Sequence, residues 1–273
     1  MNHESLLKEI KNISKYVKEI LPPEKLLKEC HRLSEKSDFF SHSVIGFSQK
    51  NHPVDLFTFG KEHPTVLLYG FPDPGEAVGG TNILALMKTL VSGSSSFSSW
   101  KVKWLFIPCL NFDDQPLEGK KLKPVMRNPK IKEVDWCLDN PRPETKALVK
   151  LAREYKPIFS FPLHDEYHSK EKILPYVITS KELNKQLCDQ IRTCFRYFNT
   201  SLNPSHKHPK MGKGFMEMRS AKDYKNSTFS ILNNFGTVII CEVSQLKNLT
   251  PAKLVGLQLS VGMIVLNSIL FSK

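Results

Sequence analysis

Asp73-Pro74-Gly75-Glu76 follows one apolar run, and Leu163-His164-Asp165 follows another far along the chain. An Asp, a Glu and a His brought together from two strand ends could hold one divalent metal. Three protein ligands leave a coordination position for water, as in catalytic zinc sites; structural sites are closed by four. Glu242 follows a third apolar run, Gly236-Thr237-Val238-Ile239-Ile240-Cys241. A carboxylate beside metal-activated water is what metal-assisted hydrolysis needs. Each residue also has a plainer reading. Asp73 could be a turn acid of Pro-Asp-Pro-Gly, and Glu76 a first-turn glutamate favoured by the helix dipole. His164 could be a core histidine and Glu242 a salt-bridged carboxylate. His168 is a rival ligand. What favours a shared site is that the candidates stand at three strand ends, where ligands bind in open α/β sheets.

The elements that would carry them alternate. Residues 1–40 read as two helices broken at Pro22-Pro23, with Leu6, Leu7, Ile10, Ile13 and Val17 at helical spacing. Strands are expected at 54–60, 65–69, 100–110, 157–163 and 237–242, and helices at 76–91, 143–154, 181–197 and 251–271. The Ser-rich stretch 92–99 reads as a mobile loop without chemistry, and 111–143 and 199–235 as irregular. Alternation of strands and helices predicts an α/β fold: a three-layer α/β/α sandwich around a mixed, largely parallel sheet. The expected organisation is an N-terminal helical segment, 1–40, followed by a domain over 41–273.

The chain has 273 residues, 40% hydrophobic and 24% charged, enough to bury a full core. Its formal charge of +12 comes from Lys and Arg scattered among acids, without a basic block, so no nucleic-acid partner is expected. Six cysteines occur without a Cys-x-x-Cys pair, and Met1-Asn2-His3-Glu4-Ser5 lacks the pattern of a secretory signal. Free thiols and a cytoplasmic location are therefore expected. The apolar 254–271 segment is interrupted by Gln258, Ser260, Asn267 and Ser268, so a buried helix is expected in place of a membrane span. Thr250-Pro251 supplies its start, an N-cap followed by proline at the first helical position. His206 and His208 lie in a basic, proline-flanked stretch and read as exposed. No Gly-x-Ser-x-Gly elbow or phosphate loop is present, and Cys109 and Cys241 sit in apolar strands where inert thiols are expected.

An ordered set of segments resembles the zinc carboxypeptidases of the M14 class. Leu67 to Gly80 is similar to the family's metal-binding turn, His-x-x-Glu. Cys109-Leu110-Asn111-Phe112-Asp113-Asp114 resembles its Asn-Pro-Asp-Gly segment, and Pro141 to Leu148 its Glu-Pro-Glu-Thr-Lys-Ala-Leu segment. Leu163-His164-Asp165 resembles the strand end bearing the third ligand, and Ile239-Ile240-Cys241-Glu242-Val243 the strand bearing the catalytic glutamate. The resemblance runs from about residue 43 onward, in the family's order. It implies one zinc ion per chain held by Asp73, Glu76 and His164, with Glu242 as general base. It also implies a substrate carboxylate gripped by Arg127 and Asn128 of Met126-Arg127-Asn128-Pro129.

Two departures bear on function. Asp73 stands where the family has histidine. A carboxylate is an acceptable zinc ligand, but its charge lowers the metal's Lewis acidity and raises the pKa of its water, and manganese becomes a possible occupant. Met126 stands where the family's substrate-gripping Asn is expected, although Arg127 can still grip a carboxylate in bidentate fashion; it could also be one more cation of a basic chain. The implied activity is a metallocarboxypeptidase-like hydrolase cutting a peptide or amide bond next to a free carboxylate. An N-acyl amino acid deacylase or amidase on the same fold is one alternative. A metal-free pseudoenzyme acting as a binding protein is another. Oligomeric state is left open by the sequence.

Overall fold

A continuous apolar run such as Thr65-Val66-Leu67-Leu68-Tyr69 can be stable as a strand only if both faces are covered, and in the computed structural model both are. The structure describes residues 1–61, 63–73, 75–93, 95–115, 117–118, 121–122, 138, 141–166, 174–220, 224–244 and 249–271. In chain order the elements are α1 (His3–Ser14), α2 (Pro23–Glu35), β1 (Phe40–Phe47), β2 (Pro53–Phe59), β3 (Thr65–Gly70), α3 (Val78–Ser92) and β4 (Lys103–Ile107). Next come β5 (Leu117–Glu118), β6 (Lys121–Leu122), α4 (Pro143–Tyr155), β7 (Phe159–Leu163), β8 (Asp165–Glu166), β9 (Tyr176–Thr179) and α5 (Lys185–Tyr197). The last are β10 (Lys207–His208), β11 (Gly212–Lys213), β12 (Phe215–Glu217), α6 (Thr228–Asn233), β13 (Thr237–Ser244) and α7 (Pro251–Phe271).

The main sheet runs β1-β2-β4-β3-β7-β13-β9-β12, and the short β8 pairs with β13. The centre is parallel, β4 with β3, β3 with β7 and β7 with β13. The β1–β2–β4 edge and the β13–β9 pair are antiparallel. Side chains alternate across the pleat. Val66 and Leu68 enter a core shared with α1, α2, α3, α5 and α7, while Leu67 and Tyr69 face α4 and α6. The architecture is thus the expected three-layer α/β/α sandwich around a mixed, largely parallel sheet. Leu6, Leu7, Ile10 and Ile13 of α1 join the first of these cores, so the N-terminal helices form part of an outer layer.

Several elements differ from expectation. Strands β1, β9 and β12 are additional, and β10, β11, β12 and α6 lie in a stretch expected to be irregular. Strand β4 is shorter than 100–110, and α5 begins at Lys185 because Asn184 caps it through Oδ1 accepting from the Leu187 amide. The serine-rich connection is pinned. Ser95 and Ser96 donate to Glu9, and Phe97 is fully buried against Trp100. Helix α7 starts as expected, with the Lys253 amide donating to Thr250 Oγ1 at 3.3 Å. It is long and apolar enough to cross a membrane by length and composition, yet 72% of its apolar window is buried within this fold. It packs against α1, α3, α5 and β13.

Candidate metal centre

Strand β3 ends at Gly70 and the chain reverses through a turn into α3. The Glu76 amide donates to the Asp73 carbonyl, and the Gly75 amide donates to Gln115 Oε1 at 2.9 Å. Gly75 has φ of +87°, a conformation that suits glycine. Gln115 is itself tied to the Asn111 carbonyl, and the Leu110 and Asn111 amides donate to the carbonyls of Gly70 and Phe71. The segment after β4 therefore braces the turn. Asp113 of that segment accepts from Ser48 Oγ, the Lys50 amide and His52 Nδ1. Asp114 pairs with buried Arg142, which also bonds Glu144 at the start of α4. Both aspartates of this motif thus do structural work in tying the β1–β2 turn and α4 to the sheet end. No carbonyl-polarising arginine is visible among the described residues; Arg142 has its terminal nitrogens engaged as a clamp.

Helix α3 approaches the strand ends very closely. A Cβ at Gly79 would collide with the Leu163 carbonyl, and one at Gly70 would lie 2.5 Å from the Gly80 nitrogen. This contact brings the Asp73–Glu76 turn to the end of β7, where His164 follows Leu163. His164 Nδ1 lies 3.0 Å from Glu76 Oε2 and 3.7 Å from Asp73 Oδ2. Glu242 Oε1 approaches the same nitrogen at 3.9 Å. Ligand atoms of Asp73, Glu76 and His164 all lie within 4.8 Å of one another. Two donors each 2.0–2.2 Å from a tetrahedral ion stand roughly 3.3–3.6 Å apart, so the observed separations fit a shared dication.

Burial sharpens the argument. Asp73, Glu76, His164 and Glu242 are 8%, 5%, 3% and 8% exposed. Three carboxylates out of water around one imidazole is a costly arrangement without a compensating cation. Burial pushes the Glu76 carboxyl well above the usual carboxylate range; the imidazole of His164 opposes the shift, and the Asp73 and Glu242 charges reinforce it. A folded-state pKa above the unfolded one means that the folded chain holds an extra proton between the two values. The metal-free protein therefore loses stability as pH rises through that window. Removing the charge should relieve this, whereas a bound cation should reward the charge. We expect Glu76→Gln to raise the melting temperature of chelator-treated protein at neutral pH and to lower that of zinc-loaded protein, both relative to wild type, in thermal unfolding scans.

A residue that sequence reasoning passed over holds the site together. Gln258, fully buried on α7, donates through Nε2 to the carbonyls of His164 and Cys241, the latter at 3.0 Å. Its Oε1 accepts from Asn82 on α3. One amide thus joins the strand end bearing His164, the strand bearing Glu242 and the helix that follows Glu76. Its signal in the sequence was a lone amide in the middle of an apolar helix, a group that must find partners there. Glu242 does not close its strand as expected; β13 continues to Ser244, and Glu242 is paired opposite Tyr176 of β9.

Arg127 and Asn128, with the rival ligand His168 and the cysteine Cys137, lie outside the described residues. His206 and His208 are less open than expected. The His206 ring lies tilted against that of Tyr176, with centroids 4.2 Å apart, and His208 Nδ1 accepts from the Lys210 and Met211 amides. The five described cysteines are free and buried. Burial pushes the thiols of Cys109 and Cys241 well up, and nearby acids add to it, which leaves them inert as nucleophiles.

Solved structures share this arrangement of strands and helices. A metallo-carboxypeptidase from Burkholderia cenocepacia superposes with a TM-score of 0.61 at 15% identity, over 90% of this chain and 69% of that one. The carboxypeptidase A of Helicoverpa armigera gives 0.65 at 9% identity, over 96% and 78%. This chain has the metallo-carboxypeptidase fold. A metallo-carboxypeptidase from Pseudomonas aeruginosa, solved in complex with (2-guanidinoethylmercapto)succinic acid, gives 0.61 at 13% identity over 91% and 69%. No protein-family model matches the sequence, and no curated protein does. Within the carboxypeptidase fold, the candidate metal-ligating residues lie at the carboxyl ends of β3 and β7, with Glu242 near the end of β13.

Proposed function

We propose that the protein is a metal-dependent hydrolase that cleaves a peptide or amide bond next to a free carboxylate. The observation that carries this reading is the buried cluster in which Asp73, Glu76 and His164 present donor atoms to a common point, with Glu242 3.9 Å from the imidazole nitrogen. Asp73, Glu76 and His164 would hold the ion; the donor set accepts zinc, and the resemblance to zinc carboxypeptidases favours it over manganese. When bound, the metal would polarise the scissile carbonyl and acidify the attacking water. Glu242 would serve as the general base, accepting a proton from the attacking water and returning it to the leaving amine, a role that its low exposure and its place beside the cluster support. His164 presents Nδ1 to the carboxylates while its backbone carbonyl is held by Gln258, which fixes the strand end behind the ring. Arg127 and Asn128 grip the substrate's carboxylate in this reading. The thiols, free in all five described cysteines, support a cytoplasmic setting as part of the proposal.

The test is a paired assay of the full chain, loaded with zinc. One arm uses peptides with free C-termini and the other uses N-acyl amino acids. Release of the C-terminal residue, inhibited by chelator and by (2-guanidinoethylmercapto)succinic acid, is the expected result. Turnover of only the N-acyl amino acids would move the assignment to a deacylase on the same fold. A protein inert in both arms, and without an ion after purification in the absence of chelators, would overturn the hydrolase reading in favour of a binding protein.

A further inference from the structure

We propose a second divalent-cation site, separate from the hydrolase centre, formed by His31, His42 and Asp55 at the seam between α2 and the β1–β2 pair. Its ligand class is that of zinc and neighbouring transition metals, because two imidazoles and one carboxylate suit borderline ions better than magnesium or calcium. The three residues come from three elements. His31 lies on α2, His42 on β1 and Asp55 on β2. The β1–β2 register sets Val44 opposite Asp55, so His42 and Asp55 are diagonal neighbours on one face of the pleat. That face also carries Phe57, whose ring lies 5.0 Å from the ring of His42 and 5.2 Å from that of His31.

The donor atoms are clustered closely enough for one ion to take them up in place of the His42–Asp55 hydrogen bond. His42 Nε2 is 2.7 Å from Asp55 Oδ1, and His31 Nε2 is 3.5 Å from Asp55 Oδ2. All three donor atoms fall within 4.8 Å of one another, against the roughly 3.3–3.6 Å expected between ligands of a tetrahedral ion. Both histidines turn the same nitrogen, Nε2, toward the carboxylate. Their ring centroids stand 4.6 Å apart. Two imidazolium rings at that distance would repel each other, whereas two neutral imidazoles can share a cation.

Asp55 is only 3% exposed. Among the described residues, its ion-pair partners within 4.0 Å are these two imidazoles; no lysine or arginine reaches it. A carboxylate taken out of water asks for a stronger compensating charge than a neutral ring. The histidine side chains are 37% and 31% exposed, so an ion can enter from solvent and water can complete its shell. Bound there, it would cross-link α2 to the edge of the sheet and stabilise the fold by mass action.

The experiment is equilibrium dialysis of the metal-stripped full chain against zinc, with ions counted per chain by elemental analysis. With both sites present, the wild type should hold two ions, His42→Ala one, His164→Ala one, and the double variant none. His31→Ala should behave as His42→Ala does. Hydrolytic activity should be unchanged in His42→Ala, and the zinc-dependent rise in melting temperature should shrink. As an independent readout, cobalt(II) added to His164→Ala should give visible absorption that is lost when His42 is also replaced. If the wild type holds one ion and His164→Ala none, the second site is overturned while the first stands. If His164→Ala retains every ion and His42→Ala holds none, the second site stands and the first reading fails.

Discussion

Replacing Glu242 with glutamine should lower the hydrolytic rate by about 10²–10⁴-fold, the usual contribution of a positioned general base, and leave the zinc content equal to that of wild type. The side chain stays nearly isosteric, so packing at a site 8% exposed is preserved. What is lost is the ability to accept a proton. The candidate ligands Asp73, Glu76 and His164 are untouched, and the contact at 3.9 Å from Glu242 to His164 is too long to be needed for holding the ring. A parallel measurement of rate and metal content makes the outcome decisive. Unchanged turnover would remove Glu242 from proton transfer. Loss of the ion along with the rate would make it a fourth ligand.

Gln258→Leu should be the most destabilising single change away from the ligands. It removes the two hydrogen bonds that Nε2 donates to the carbonyls of His164 and Cys241 and the acceptor of the Asn82 amide, so that three buried polar groups lose this partner. Each such group costs about 1–3 kcal/mol; because they share one network, a total of about 3–5 kcal/mol is expected. The strand end behind His164 would then be free to shift, so metal affinity should fall by about 10–100-fold, as when supporting partners of metal ligands are lost. Ser260→Ala offers the control. Ser260 is equally buried on the same helix, but its hydroxyl bonds only the Gly256 carbonyl one turn back, so about 1 kcal/mol or less is expected. Denaturant unfolding and competitive zinc titration of both variants would check this. Equal losses in the two would mean that the helix tolerates no change and that Gln258 has no special role.

The central strands were legible because their side chains are buried on both faces, which forces runs such as Val66-Leu67-Leu68-Tyr69 and Val238-Ile239-Ile240-Cys241 into the sequence. Strand β1 was not. It is an edge strand with Ser41 to Val44 all exposed, so its residues carry little hydrophobic pattern. Strands β9 and β12 were missed for another reason. They are four and three residues long, and they exist because β13 offers β9 an antiparallel partner and β9 in turn offers β12 a parallel one. Asp73, Glu76, His164 and Glu242 could be nominated because each follows or ends an apolar run. Their convergence could not be derived from spacing, since it depends on strand order. The grouping of His31, His42 and Asp55 had no local sign at all; it requires α2 to lie across the first two strands. Gln258 was visible only as an interruption in an apolar helix, and its three partners come from distant parts of the chain.

The close seating of α3 on the strand ends has a consequence for how this pocket can diversify. Asp73 sits in a turn whose geometry is set by Gly75 and Gln115, so exchanging it for another donor alters chemistry without asking the backbone to move. Gly79 has no such latitude, because any side chain there would meet the Leu163 carbonyl one residue before His164. A randomised library selected for metal capture should thus return varied coordinating groups at position 73 and a single amino acid at position 79. The identity of the ion and its reactivity are open to drift, while the socket that receives it is fixed by an absence of atoms.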